Sequence, residues 1–149
     1  MKIFLTGASG FLGHHITADL TAAGHEVTGL VRSDAAADLL RQRGVKPVMG
    51  DITNPASLDA ALGAAEAVIH TAFDHDFSRF KANCEGDRRL IEHMGTRLAR
   101  TGVPLVVTST TMVAAKEVGQ PARETDAPVG SDRAPRAATE EGVARALDL

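Results

Sequence analysis

Residues 6–13 read TGASGFLG, which spaces Gly7, Gly10 and Gly13 three apart between an apolar run and a segment of helical period. In that setting each glycine has a physical task. The first permits a tight turn, the second lets backbone approach a pyrophosphate, and the third lets helix pack on strand. Phosphate oxygens would then meet the unpaired N–H groups at the helix start, where the dipole also favours an anion. The stretch Gly7, Ala8, Ser9, Gly10, Phe11, Leu12 and Gly13 is therefore expected to cradle a dinucleotide. A second apolar run ends in GLVRSD, with Arg32 and Ser33 at its tip. A carboxylate there would bind a ribose diol, whereas a guanidinium fork matches a 2′-phosphate bidentately. Asp34 is close enough in sequence to serve a diol instead, but the residue types favour NADP(H) over NAD(H).

The stretch FDHDFS (73–78) places Asp74, His75 and Asp76 directly after another apolar run. An imidazole titrates near neutrality, so His75 is a candidate proton donor. Neighbouring residues on one loop rarely converge on one ion, and no second ligand group stands out, so no metal site is expected. His14, His15 and His93 fall in helical segments and read as surface or packing residues. Cys84 reads as a small core residue.

Positioning these groups requires a sheet, and the chain supplies one in alternating segments. Strands are expected at 2–7, 25–32, 46–51, 66–72 and 103–109. Helices are expected at 11–23, 33–44, 54–63 and 78–101, with a last, weak one from about Arg136. In the first helix Leu12, Ile16 and Leu20 fall on one stripe. Ser33 or Asp34 caps the second, and Asn54 the third. In the fourth, Cys84, Ile91, Met94 and Leu98 face inward. The last helix offers only Val143, Ala144 and Leu147 as apolar anchors. Residues 119–135 carry three prolines and Gly130 among charges, which reads as a mobile loop. Strands alternating with helices imply a parallel α/β sheet covered on both faces.

With 149 residues the chain fits one domain and can bury roughly 68–70% of its unfolded surface. The formal charge of −3, with both signs mixed along the chain, suggests neither a nucleic acid nor a membrane surface as partner. The single cysteine excludes an internal disulfide and fits a reducing compartment, and the N-terminal apolar run is too short for a leader or a span, so a cytoplasmic location is expected. The composition includes five Phe but neither Tyr nor Trp.

The glycine spacing resembles that of the short-chain dehydrogenase/reductase superfamily, in particular its extended and atypical branches of epimerases, dehydratases and reductases. The resemblance continues through GDITNP, VIHTAF, NCEGDRRLIE and VVTSTTMV. It implies a Rossmann-type doubly wound sheet of order 3-2-1-4-5, without the usual last strands and substrate region. It implies that Asp51 and Ile52 meet the adenine, that His70, Thr71 and Ala72 line the cofactor, and that Asn83 and Gly86 occupy the fourth helix. Thr110, with Ser109 and Thr111 beside it, matches the catalytic hydroxyl. Relatives commonly dimerise through their fourth and fifth helices, which implies a homodimer. The superfamily's Tyr-x-x-x-Lys pair would fall on Arg136 and Glu140, and neither can do that chemistry: an arginine holds its proton, and a glutamate would raise a neighbour's pKa. Those two are expected to form a surface ion pair instead. Two functions follow: an NADP(H)-dependent oxidoreductase or epimerase/dehydratase-like enzyme for a small carbonyl or hydroxyl substrate, or an inactive cofactor-binding, redox-sensing module.

Overall fold

The computed structural model of the chain describes residues 1–114, 120–123 and 125–149. Five parallel strands form one sheet: β1 (Lys2–Thr6), β2 (Glu26–Val31), β3 (Lys46–Met49), β4 (Ala67–His70) and β5 (Leu105–Val107), in the order β3-β2-β1-β4-β5. The helices between them are α1 (Phe11–Ala22), α2 (Asp34–Gln42), α3 (Asp59–Ala64) and α4 (Phe80–Leu98), and α5 (Ala138–Leu147) follows β5. This is the parallel sheet that the alternation of segments predicts, in the Rossmann-type order that the resemblance implies. Leu5 of β1 registers with Gly29 of β2 and Ile69 of β4, so β1 sits at the centre with its C-terminal end opening between the two halves.

Alternation along the strands sends side chains to two layers. Phe4, Leu30 and Val68 pack beneath Leu58, Leu62, Leu90, Ile91 and Met94 on the α3–α4 face. Leu5, Val27 and Val31 pack against Ala8, Ala37 and Leu40 on the α1–α2 face. Each large side chain fully buried in this way contributes about 1.5–3 kcal/mol. Cys84, Ile91, Met94 and Leu98 all face inward. Burial pushes the Cys84 thiol above its ordinary pKa, against the opposing pull of Arg136.

Several boundaries and roles differ from the expectation. Leu12 is 52% exposed rather than buried; α1 packs through Ile16 and Leu20, and buries Gly13 and Thr17. Ser33 is the residue that caps α2, its Oγ accepting from the Ala36 N–H at 3.3 Å. Asn54 stands at the start of a 3-10 turn (Pro55–Leu58) ahead of α3, but its side chain caps nothing; the Ser57 hydroxyl donates to the Asn54 carbonyl instead. The fourth helix stops at Leu98, and Arg100 just beyond it turns into the left-handed region at φ 63°.

The expectation for the last helix also needs correcting. After a 3-10 turn (Pro135–Ala137), α5 buries Ala138, Thr139 and Gly142, while Ala144 and Leu147 are exposed. It is seated by smallness rather than by large anchors. A Cβ on Gly95 of α4 would lie 2.5 Å from the Ala146 Cβ, and one on Gly142 would lie 3.1 Å from the Arg88 carbonyl oxygen. Within α4 Arg88 pairs with Glu85 and, at 2.6 Å, with Glu92, and the same Glu92 ties the two helices by taking Arg145 of α5 at 2.7 Å. Within the expected loop 119–135, residues 119 and 124 lie outside the described residues, and the rest form turns and irregular backbone. Among the described residues no helix is long and apolar enough to cross a membrane.

Candidate functional site

A cleft of about 530 Å³ opens at the C-terminal ends of β1, β2 and β4. Its floor is the turn from β1 to α1. Gly7 adopts φ 75°, and a Cβ there would meet the Thr71 Oγ1 at 2.6 Å and the Ala72 nitrogen at 2.9 Å. Gly13 is tighter still: its Cβ would stand 2.1 Å from the Gly7 carbonyl oxygen and 2.6 Å from the Ala8 Cα. The two glycines therefore let helix, turn and β4 close on one another. Gly10 occupies the N-cap of α1 without a side chain to cap it, and the first turn holds no acid. The first N–H groups of α1 thus face the cleft with no side-chain acceptor, the arrangement that binds phosphate.

Gly7, Ser9, Gly10, Phe11, Leu12, Gly13, Arg32, Ile52, Thr71, Ala72 and His75 all line this cleft. The structure thus gathers separated segments of sequence around one space. Ala8 does not line it: fully buried, it fills the layer beneath, where a Cβ on Gly29 would meet its own at 2.6 Å. Ser33 is likewise absent from the wall, engaged as the α2 cap.

Asp51 stands just outside. Its Oδ1 accepts from the Thr53 N–H at 2.8 Å and from the Thr53 hydroxyl at 2.9 Å. These bonds, with the Arg32 charge nearby, hold the carboxyl below its ordinary value of 3.8. Glu141 is lowered in the same direction from 4.5, chiefly by the Ser131 N–H that its Oε1 accepts at 2.9 Å. A carboxyl whose folded pKa lies below its unfolded one stabilises the fold fully above the unfolded value and loses that contribution as pH falls through the folded one. The melting temperature is therefore expected to be level with respect to these two groups above about pH 5 and to fall through about pH 4 to 3. Asp51→Asn should flatten part of that acid limb in a thermal-melt series.

On the opposite wall the β4–α4 loop carries Phe73, Asp74 and His75. The His75 ring lies 5.3 Å from Phe73 and 6.1 Å from Phe77, edge-on to both. The two acids of the stretch shape the loop: Asp74 Oδ1 accepts from the Asp76 N–H, and Asp76 Oδ1 accepts from the Ser78 N–H and hydroxyl. Asn83 of α4 pins the same loop by donating to the Asp74 and Asp76 carbonyls at 3.2 and 3.0 Å. Among the described residues no three His, Cys, Asp or Glu side chains gather as metal ligands. Ser109 and Thr110 follow β5, one strand further along the sheet edge, and lie outside the cleft wall. His93 is a packing residue, its Nε2 bonded to the Asp59 carboxylate at 2.7 Å.

Two residues expected elsewhere turn inward. His70, expected to line the cofactor, is only 2% exposed and sits on the α4 face of β4. Its Nδ1 is 2.6 Å from the Thr6 hydroxyl and its Nε2 2.9 Å from Asp87 Oδ1. Arg136 forms no surface pair with Glu140. Its Nη1 donates to Asp87 Oδ2 at 2.5 Å and contacts the Thr139 hydroxyl, and its Nη2 reaches the Thr108 carbonyl at 3.4 Å. The guanidinium lies 4.3 Å above the centre of the Phe73 ring. The reason is burial: the Asp87 side chain is 4% exposed, and a carboxylate removed from water takes the nearest cation.

Known proteins share this architecture. The chain is 46% identical over 113 residues to an uncharacterized protein of Schizosaccharomyces pombe, covering 76% of this chain and 38% of that one. It is 40% identical over 71 residues to the decarboxylating sterol-4-alpha-carboxylate 3-dehydrogenase of Dictyostelium discoideum, covering 48% of this chain and 22% of the enzyme. The UDP-glucose 4-epimerase of Thermus thermophilus, solved in complex with NAD, superposes with a TM-score of 0.74 at 25% identity, over 97% of this chain and 50% of that one. The chain thus spans between a fifth and a half of the length of these relatives. A family model described as NAD dependent epimerase/dehydratase matches residues 3–139, nearly the whole of the sheet and its cleft, and the chain belongs to that family.

Proposed function

We propose that this chain binds NADP(H) and serves an oxidoreductase or epimerase/dehydratase-like reaction on a small carbonyl or hydroxyl substrate. The observation that carries the reading is the uncapped start of α1, opening on a cleft whose turn has no room for a side chain at Gly7 or Gly13. The residues fit a nicotinamide dinucleotide: the backbone N–H groups of Phe11, Leu12 and Gly13 for the pyrophosphate, Gly10 N–H being held by the Gly7 carbonyl at 2.9 Å, Ile52 beside the adenine, and Thr71 and Ala72 along the cofactor. The relatives' redox and NAD-bound descriptions support the same class. Such a cofactor, when bound, supplies hydride transfer.

Arg32, on the cleft wall, favours the 2′-phosphate form. Calorimetric titration is expected to show NADPH binding at least tenfold more tightly than NADH, about 1.4 kcal/mol. Arg32→Glu should erase that preference by weakening NADPH alone. Equal affinities in the unaltered chain would refute the NADP(H) assignment.

Of the side chains on the cleft wall, the His75 imidazole is the one proposed to pass a proton to or from the substrate. Thr110 and Ser109 are the hydroxyls proposed to orient a substrate oxygen. A second reading, a binding module without turnover, draws support from Arg136, whose guanidinium is engaged at the position where the resemblance implies the superfamily's tyrosine. Oxidation of NADPH in the presence of a panel of aldehydes and ketones separates the two, and loss of turnover in His75→Ala would assign the proton to His75.

A further inference from the structure

We infer that Arg136, Asp87 and His70 are positioning residues of the nucleotide cleft, linking α5 to the ends of β1 and β4. This rests on the cofactor reading above. The chain of contacts is continuous and almost entirely buried. Thr6, Thr139, His70 and Asp87 are each at most 6% exposed.

Its hydrogens can be assigned. A carboxylate only accepts, so His70 Nε2 is the nitrogen that donates to Asp87 Oδ1. The Thr6 hydroxyl, which accepts from the Ala72 N–H at 3.3 Å, completes the ring's bonds at Nδ1. Asp87 Oδ2 then accepts from Arg136 and, at 2.6 Å, from the Thr139 hydroxyl. Each of these buried polar atoms has a partner, and the Asp87 carboxyl is held between the imidazole on one oxygen and the guanidinium on the other. Fully satisfied networks of this kind specify one arrangement, because each member has only one way to complete its bonds.

The line reaches the cleft at two points. At β1 it fixes the Thr6 hydroxyl that holds the Ala72 N–H, while the Thr6 carbonyl accepts the Thr71 hydroxyl at 2.8 Å. Thr71 and Ala72 are the groups against which Gly7 closes. At the loop it sets Phe73, on whose ring the Arg136 plane rests. Yet Arg136, Asp87 and His70 are not themselves part of that cleft's wall. They act through Thr6, Thr71, Ala72 and Phe73.

A lysine at 136 would keep the charge that balances Asp87. It would lose both the flat face over Phe73 and the second nitrogen aimed at the Thr108 carbonyl. Charge balance and positioning thereby separate. Arg145 provides the control: it joins α5 to α4 through Glu92, at 60% exposure, and its bond to that residue lies outside the line.

Coupling between two parts of a protein is reciprocal, so whatever α5 does for the nucleotide, the nucleotide does for α5. In Arg136→Lys the calorimetric Kd for NADPH is expected to rise about tenfold, with Arg145→Lys unchanged. In the unaltered chain, NADPH should slow amide exchange in α5, which lies off the cleft wall, as well as in the Gly10–Gly13 turn. In Arg136→Lys the slowing in α5 should vanish while that of the turn persists. Equal Kd values for the two variants, or α5 exchange indifferent to NADPH, would overturn the coupling. The exchange measurement on the unaltered chain decides the matter even if the variant folds poorly. Absence of NADPH binding by the unaltered chain would overturn the cofactor reading and this inference with it; binding that ignores Arg136 would overturn this inference alone.

Discussion

Gly13→Ala is expected to abolish dinucleotide binding and to destabilise the fold by about 3 kcal/mol. The added carbon would stand 2.1 Å from the Gly7 carbonyl oxygen, 2.6 Å from the Ala8 Cα and 2.8 Å from its carbonyl carbon. All three are backbone atoms, so no rotamer change relieves the contact. Only separation of α1 from the β1 turn does so. That movement shifts the N–H groups of residues 11–13 away from the phosphate position and opens the layer in which Ala8 and Leu5 pack. A loss of about 3 kcal/mol in binding alone would raise Kd more than about a hundredfold. Gly63→Ala is the matched control, since nothing lies within 4 Å of the carbon it would add and alanine is the better helix former. Urea denaturation and NADPH titration of both variants check the contrast.

The second large effect is expected at Asp87. Asp87→Asn should cost about 3–5 kcal/mol, because it leaves the Arg136 cation without its counter-charge, with the guanidinium side chain 16% exposed. The amide can still accept through its oxygen, but its NH₂ faces a donor, whichever way it is turned. On one side stands His70 Nε2–H, and on the other Arg136 Nη1 and the Thr139 hydroxyl. The imidazole can answer by changing tautomer, its Nδ1–H then donating to the Thr6 oxygen and the Thr6 proton turning away from the ring, which rearranges the line at β1. The double variant Asp87→Asn/Arg136→Gln removes the stranded cation and should cost clearly less than the sum of the two single changes. Additive losses, measured by urea denaturation at neutral pH with unchanged m-values, would show that the pair is not a unit.

Much of the fold follows from local pattern. Short apolar runs separated by helical periods predict the five strands, and the glycine spacing predicts the turn that builds the cleft floor. The capping serine at 33 is found the same way. What pattern misses is polar burial. On α4 the inward stripe runs 84, 87, 91, 94, 98, and Asp87 sits squarely within it. A carboxylate in an apolar stripe requires a buried partner. Alternation along β4 supplies one, since His70 lies two residues from Val68 on the same face. Arg136, 49 residues from Asp87, cannot be assigned to that carboxylate by spacing. Leu12 escapes the pattern for the opposite reason: its stripe is right for a helix that covers a sheet, but the first turn of α1 overhangs the cleft. The seating of α5 is hidden because close helix contact through Gly95, Gly142 and Ala146 leaves no hydrophobic signal.

Chemical-shift mapping of the ¹⁵N-labelled chain during NADPH titration tests the cofactor site most directly. The largest amide shifts are expected at Gly10, Phe11, Leu12 and Gly13, with further shifts at Arg32, Ile52, Thr71 and Ala72, all saturating with one Kd. Shifts that saturate elsewhere while the Gly10–Gly13 amides stay still, or no saturable shift at all, would contradict the assignment of the β1–α1 turn as the phosphate cradle.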